Sequence, residues 1–432
     1  MALYSERKEL IGSENAFRMG SRISAVEAQG EKVLRLNIGE PDFPIPQCVT
    51  DEVKRQLDLH NTHYCEPRGL LSLRKAIVRQ VLETRHVEYS PEQVVVLAGV
   101  KPAIAFAEEV YCQAGDEIIY PSPGYPIYES FVRYVGAVPR PLHLREENDF
   151  TFTAGELEEL ITERTKLIIL NFPSNPTGGV AGKKQIEEIA AVIMKKCGPD
   201  VRVLSDEIYE YILFDGLKNF SIASVPGMKE RTILCSGFSK TFAWTGGRLG
   251  YAVLPTQDES DVFRNMNINY YSCLPAYNQE GAREAFENPA SLQEVRKMVA
   301  EFEERRNATV SAMQSIPGLS LRKPGGAFYL FPNIQGICER LDIIGRYQSL
   351  KAEVRERTSP STLFQMFMLY VYRVGILDRK SFGRIGSEGK HFVRISLASE
   401  RAQLREGVER LRQAAADKEG FARFFDKGEN LI

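Results

Sequence analysis

Residues 235–250 read CSGFSKTFAWTGGRLG. The stretch holds one lysine, Lys240, and one arginine, Arg248, and small residues crowd both. The apolar run Thr232-Ile233-Leu234 leads in, and a second strand-like run, 249–254, leads out. A surface lysine needs no such neighbours. Small residues at this density suit a place where a bulky group lies against the backbone. Two strands meeting at a tight, cationic turn also make the neighbouring sequence worth reading for the rest of a sheet.

From about 94 to 255, short apolar runs alternate with helical patterns. Strands are expected at 93–97, 117–120, 167–171, 202–205, 232–235 and 249–254, and helices at 103–111, 127–135 and 184–196. This alternation predicts an α/β fold whose mostly parallel central sheet is covered by helices on both faces. Ligands of such sheets bind at the carboxyl ends of the strands. A long helix is expected at 289–315, then a turn and strand in LSLRKPGGAFYLFPNI and another strand in KHFVRISLAS. That region reads as a smaller α/β domain. The expected division is 1–45 as an N-terminal arm and part of the small domain, 46–290 as the large domain, and 291–432 as the small C-terminal domain. Segment 339–372 is helical in character, with a break expected at Thr358-Ser359-Pro360.

Composition narrows the function classes. The 432 residues carry 55 basic and 57 acidic side chains, a net charge of −2, with no basic stripe. Nothing in this balance favours nucleic acid or an anionic membrane. Hydrophobic content is 43%, ordinary for a globular protein, and no apolar run approaches the ~20 residues of a membrane span. The stretch MALYSERKELIGSENAF lacks the apolar core of a signal peptide, so a cytoplasmic location is expected. The seven cysteines are scattered without metal-ligand spacing, and their odd number argues against a disulfide framework. His60 and His63 have no carboxylate or thiol set around them, so no metal site is expected.

Several polar residues fall at the expected strand ends. In VVVLAGVKPAIAFAEEV, residues 94–110, a strand runs into Gly99 and a helix starts near Pro102. The amides of Val100, Lys101 and Ala103 would then form an anion site suited to a phosphate. The segment lacks the GxGxxG and GxxxxGK[ST] fingerprints, and by itself it reads first as an ordinary β–α turn. Tyr125, in SPGYPIYES, suits either stacking on a planar ligand or the core. The loop of LIILNFPSNPTGG presents Asn171 and Asn175, and Asn175-Pro176 is a candidate cis bond. Asp206, in VRVLSDEIYEYILF, follows an apolar strand directly, with Tyr209 three residues on. A carboxylate buried there needs a cation or donor, unless it caps a helix. Pyridoxal phosphate requires this combination: amides and an arginine for its phosphate, a flat partner for its ring, a carboxylate for its pyridine nitrogen and a lysine for its aldehyde.

With these residues in view, the chain resembles the class I/II aminotransferase family, the fold-type I pyridoxal-phosphate-dependent enzymes, over roughly residues 30–400. GFSKTFAWTGGRLG matches the family's lysine signature at Gly237, Ser239, Lys240, Ala243, Gly246, Arg248 and Gly250, and SNPTG and SDEIY add to it. The resemblance implies that Lys240 forms the Schiff base and shuttles the proton, and that Arg248 binds the phosphate. It implies that Asp206 pairs with the pyridine nitrogen, that Tyr209 and Asn175 bond the ring oxygen, and that Tyr125 stacks. Val100 and Lys101 fall in the phosphate loop. Tyr64, in HYCEPRGLLSLR, resembles a tyrosine that reaches the phosphate of the neighbouring subunit, which implies a homodimer. Arg394 resembles the arginine that grips the substrate α-carboxylate, a fork-shaped task, and Gly39, in LNIGEPDF, the glycine that lets backbone approach it.

The implied activity is transfer of an amino group from an L-amino acid to a 2-oxoacid. A lyase, cyclase or oxidase would begin with the same Cα deprotonation and use the same cofactor residues. Three places depart from the family's pattern. Trp244 stands where a smaller residue is usual and Gly247 where tryptophan is frequent. Val100-Lys101 replaces hydroxyl residues in the phosphate loop. Leu377-Asp378-Arg379-Lys380-Ser381-Phe382-Gly383 replaces a Pro-Gly turn before Ser-x-Phe-Gly. The charges of that segment read either as a solvent-facing variation or as an altered substrate pocket. Arg379, Lys380, Arg384 and Lys101 would favour an acidic substrate side chain in the second case.

Overall fold

The computed structural model describes residues 3–5, 8, 10 and 15–432. Most of the stretch read for a signal peptide lies outside the described residues. The large sheet has seven strands: β1 (Val94–Leu97), β2 (Glu117–Ser122), β3 (Val138–His143), β4 (Thr165–Asn171), β5 (Arg202–Asp206), β6 (Thr232–Gly237) and β7 (Gly250–Val253). Their spatial order is β1-β7-β6-β5-β4-β2-β3. Strands β2 to β6 pair in parallel, and β7 runs antiparallel to both β1 and β6. The carboxyl ends of β1 to β6 therefore share one edge with the amino end of β7. Arg248, just ahead of β7, arrives at the same edge as Asp206 and Gly237.

Six of these strands match the expected ones. Their near-continuous apolar runs follow from burial on both faces. Val94 and Val96 join one core, with Leu73, Ile77, Leu234 and Val253. Val95 and Leu97 join the opposite core, with Ile104, Phe106, Ile233 and Ala252. This alternation is the period of two of a strand. The sequence had not marked β3, VPRPLH. Pro139 and Pro141 remove two ladder donors, a composition tolerated only at a sheet edge, and β3 is an edge strand paired to β2 alone.

A three-stranded sheet of order Leu377–Asp378, Val393–Ser396, Tyr329–Leu330 stands apart from the large one. Both of its pairings are antiparallel. Leu34–Arg35 pairs in parallel with Val374–Gly375, so backbone near the start of the chain is joined to backbone far along it. The helix Pro289–Met313 covers the long pattern seen in sequence. Segment 339–372 forms the helices Ile343–Ser349, Ala352–Arg355 and Pro360–Tyr370. The break falls at the expected place, where Ser359 Oγ accepts the amide of Thr362 at 3.1 Å. No described helix is long and apolar enough to cross a membrane.

Candidate active site

A cleft of about 730 Å³ opens at the edge where the parallel strands end. Val100, Lys101, Tyr125, Asn175, Asp206, Tyr209, Lys240, Arg248, Gly39 and Arg394 all line it. These residues span more than 350 positions of sequence, and the fold gathers them at one place. Tyr64 is the exception. It lies outside the cleft lining and is 89% exposed.

Asp206 ends β5 and is 4% exposed. No helix follows it, so it is not an N-cap; turn residues do. Its carboxylate accepts the Tyr128 hydroxyl at 2.7 Å and the Ile208 amide at 3.3 Å. Burial pushes its pKa up to about 6, against the opposing pull of these donors. A cation brought beside it would reverse that shift. Asn171 braces the neighbourhood: its Nδ2 donates to the Asp206 carbonyl at 3.0 Å and its Oδ1 accepts the Asn175 amide at 3.0 Å. The Asn175-Pro176 bond is cis, as are Ser122-Pro123 and Phe172-Pro173.

The turn between β6 and β7 is built for close approach. One short helix, Phe238–Thr241, carries Lys240, whose Nζ donates to the Gly39 carbonyl at 2.6 Å. A Cβ on Gly39 would stand 2.5 Å from the Tyr329 hydroxyl, so only glycine lets that carbonyl in. Gly99 has φ +85°, and a Cβ there would lie 2.6 Å from Arg248 Nη2. Cβ atoms on Gly237 and Gly250 would meet backbone at 2.8 and 2.6 Å. Arg248 itself has φ 52° and Ala243 φ 52°, a left-handed conformation that costs a side-chain-bearing residue about 1–2 kcal/mol. The guanidinium of Arg248 donates to the carbonyls of Thr245 and Ala98 at 2.8 and 3.0 Å, which ties β7's entry to the β1 turn. The amide of Ala103, expected in the phosphate loop, instead donates to the Val100 carbonyl at 2.9 Å.

Arg394, on Val393–Ser396, donates to Asn175 Oδ1 at 3.0 Å and to the Asn37 carbonyl at 2.6 Å. Its guanidinium lies over the rings of Tyr329 and Phe382, at 4.4 and 5.0 Å from their centroids. The Tyr209 and Tyr329 hydroxyls are 2.8 Å apart. Tyr128, Tyr329, Asn37 and Phe382 were missed in sequence. Only their partners mark them, and an aromatic three residues into a helix reads as core.

Two of the three departures find physical reasons. A Cβ on Gly247 would stand 2.4 Å from the Trp244 indole. Trp244 thus folds back over residue 247, and the glycine at 247 makes room for it. Lys101 Nζ lies 5.7 and 5.8 Å from the ring centroids of Phe17 and Tyr125. The charges of 379–384 divide: none of Arg379, Lys380 and Arg384 lines the cleft, and of the three only Arg384 is exposed. Arg379 is 1% exposed and is not among the cleft-lining residues. Lys380 Nζ donates to the carbonyls of Glu356 and Thr358. Arg384 is exposed, and its amide donates to the Glu129 carboxylate. Of the four cations weighed for an acidic substrate, Lys101 alone lines the cleft.

The residues present fit pyridoxal phosphate. The cleft brings together the Arg248 guanidinium, the buried Asp206 carboxylate and the Lys240 amine, which suit the phosphate, the ring nitrogen and the aldehyde of this cofactor. Residues 31–411 match the family described as aminotransferase class I and II. The aromatic-amino-acid aminotransferase 2 of Thermococcus litoralis is 33% identical over 97% of this chain and 99% of its own. The aspartate aminotransferase of Pyrococcus abyssi is 34% identical over 91% of this chain and 94% of its own. The structure of aspartate aminotransferase from Rhizobium meliloti superposes with a TM-score of 0.85 at 28% identity, covering 96% of this chain and 99% of that one. The sheet, the cleft and these relatives agree: the chain belongs to the class I and II aminotransferases, pyridoxal-phosphate-dependent enzymes that move an amino group from an amino acid to a 2-oxoacid.

Proposed function

We propose that this aminotransferase takes an acidic L-amino acid and passes its amino group to a 2-oxoacid. The observation that carries the proposal is the pairing of Arg394 and Lys101 as cations of one cleft. A dicarboxylate has two anionic ends for them. One relative is named an aspartate aminotransferase, in keeping with this choice. A second reading, an aromatic donor, is favoured by the rings of Phe17 and Tyr125 beside Lys101, and another relative is named for aromatic amino acids.

When bound, pyridoxal phosphate supplies an aldehyde that captures the amino group and a ring that takes up electrons from the Cα–H bond. Arg248 and the turn at Val100-Lys101 would hold its phosphate, Asp206 its ring nitrogen, Asn175 and Tyr209 its ring oxygen, and Tyr125 its face. Arg394 binds the substrate α-carboxylate through its planar fork, beside the backbone of Gly39. Lys240 accepts the substrate Cα proton on Nζ and later returns a proton. Tyr128 holds the Asp206 carboxylate in place at 2.7 Å. The seven free thiols accord with a cytoplasmic enzyme. The proposed assembly is a homodimer in which Tyr64 serves the partner's site, with residues 46–290 as the cofactor domain and 1–45 with 291–432 as the small domain.

The test is a half-reaction followed by absorbance. Loaded enzyme is mixed with aspartate, glutamate, phenylalanine or alanine alone, and the cofactor band is watched. Fast bleaching by the acidic pair, reversed by 2-oxoglutarate, is expected. Fast bleaching by phenylalanine with none by aspartate would replace the acidic reading with the aromatic one. Ammonia release with the band restored and no oxoacid added would overturn the substrate proposal altogether.

A further inference from the structure

The segment 377–383 is where this chain departs most from its family's pattern, and its arginine is buried. Arg379 Nη2 donates to Ser122 Oγ at 3.0 Å, at the end of β2. Its Nη1 donates to the carbonyls of Gly383 and Phe382, at 2.9 and 3.3 Å. The amide of Gly124, one residue before Tyr125, donates to the same Phe382 carbonyl at 3.0 Å. Glu129 closes the far side by accepting the amide of Arg384 at 3.0 Å. Residue 382 is thereby stapled to the turn that carries Tyr125, while its ring lies 5.0 Å from the Arg394 guanidinium. Burial lowers the pKa of Arg379 to about 10.

Its hydrogen bonds go to carbonyls and a hydroxyl, and none of those described goes to a carboxylate. Keeping a guanidinium charged there is costly. A fork is what the place demands: one nitrogen holds the loop's carbonyls while another crosses to β2, and lysine has no such geometry.

We propose that Arg379 is a positioning residue for substrate binding: it pins Phe382 across the cleft, and Phe382 holds Arg394 in the pose that receives the substrate carboxylate. The proposal rests on the reading of Arg394 as the carboxylate grip. Arg379 does not itself line the cleft and reaches it through the Phe382 carbonyl, so its loss acts on substrate affinity and leaves the chemistry of Lys240 alone.

The experiment is a single-turnover titration of the holoenzyme with aspartate, or with whichever amino acid bleaches the cofactor band, reading apparent Kd and limiting rate separately. For Arg379→Gln, Kd is expected to rise about tenfold, with the limiting rate within about threefold and the resting cofactor spectrum unchanged. Phe382→Leu should raise Kd similarly. The double variant should be no worse than the worse single one, because the two residues act as one unit. An unchanged Kd in Arg379→Gln overturns the proposal, as does a loss of limiting rate equal to the loss in affinity, or full additivity with Phe382→Leu. Arg394→Lys separates the two readings: if it too leaves Kd unchanged, the carboxylate grip itself is wrong; if it raises Kd and Arg379→Gln does not, only the positioning role fails. Should Arg379→Gln not yield folded holoenzyme, Ser122→Ala removes one staple alone, and a two- to fivefold rise in Kd supports the proposal where no rise overturns it.

Discussion

At the scale of single residues, the carboxylate of Asp206 has the clearest physical signature. Its pKa in the folded protein, about 6, lies above its ordinary 3.8, and burial is the main cause. Between those values the folded state holds a proton that the unfolded chain releases. Stability of the cofactor-free protein therefore falls as pH rises through that window, and the cost persists above it. The full shift corresponds to about 3 kcal/mol. A protonated ring nitrogen beside the carboxylate offsets it. In cofactor-free protein, Asp206→Asn is expected to raise the melting temperature at pH 8 and to leave it unchanged near pH 4. The same variant is expected to lower turnover of the holoenzyme about 10²-fold or more, as loss of a charge-stabilising group does. A melting difference that is the same at both pH values would show that burial of the charge is not what Asp206 contributes.

At the scale of elements, the helix Pro360–Tyr370 is the part that sequence described least well. All but its last residue are buried, so it carries no polar stripe from which a helical period can be read. What did show was its start. Ser359 precedes Pro360, and serine at the cap with proline at the first helical position is a readable boundary. Ser359→Ala should destabilise the protein by about 1 kcal/mol, and Ser359→Gly by only a few tenths. Denaturant titration of both variants checks this, and equal losses would mean that the hydroxyl's bond to Thr362 contributes nothing. Strand β3 was missed for the opposite reason: its prolines argue against a strand, and only its place at the sheet edge permits them.

At the scale of the whole molecule, the exposed Tyr64 and the cleft belong to one question. If Tyr64 completes the partner's site, two defective chains will repair each other. Lys240→Ala protein lacks the amine, and Tyr64→Ala protein lacks the cross-subunit hydroxyl. Mixed and reassociated, they form a hybrid in which one site joins an intact Lys240 to the partner subunit's Tyr64. Cofactor affinity and activity are expected to recover towards one wild-type site per dimer, as measured by cofactor titration and turnover of the mixture. Recovery no greater than the sum of the two parents would place Tyr64 outside the neighbouring site.

The local chemistry of this protein was legible in its sequence. Residues such as Asp206, Asn175, Lys240 and Arg248 sit at the ends of apolar runs, and strand ends of an α/β sheet are where ligands bind. The small residues of 235–250 were read as room for a bulky group; Cβ atoms on Gly237 and Gly250 would instead meet protein backbone, so these two glycines serve the close packing of the chain on itself. Sequence had no means of showing that Tyr128 meets Asp206, that Phe382 lies over Arg394, or that Arg379 is spent on Ser122. These pairs lie 78, 12 and 257 residues apart, and their side chains are of types that serve equally well in a core or on a surface. Local pattern reports propensity and period, which are properties of neighbours along the chain. The partner of a buried polar group is set by which distant segment packs against it, and only the tertiary structure decides that.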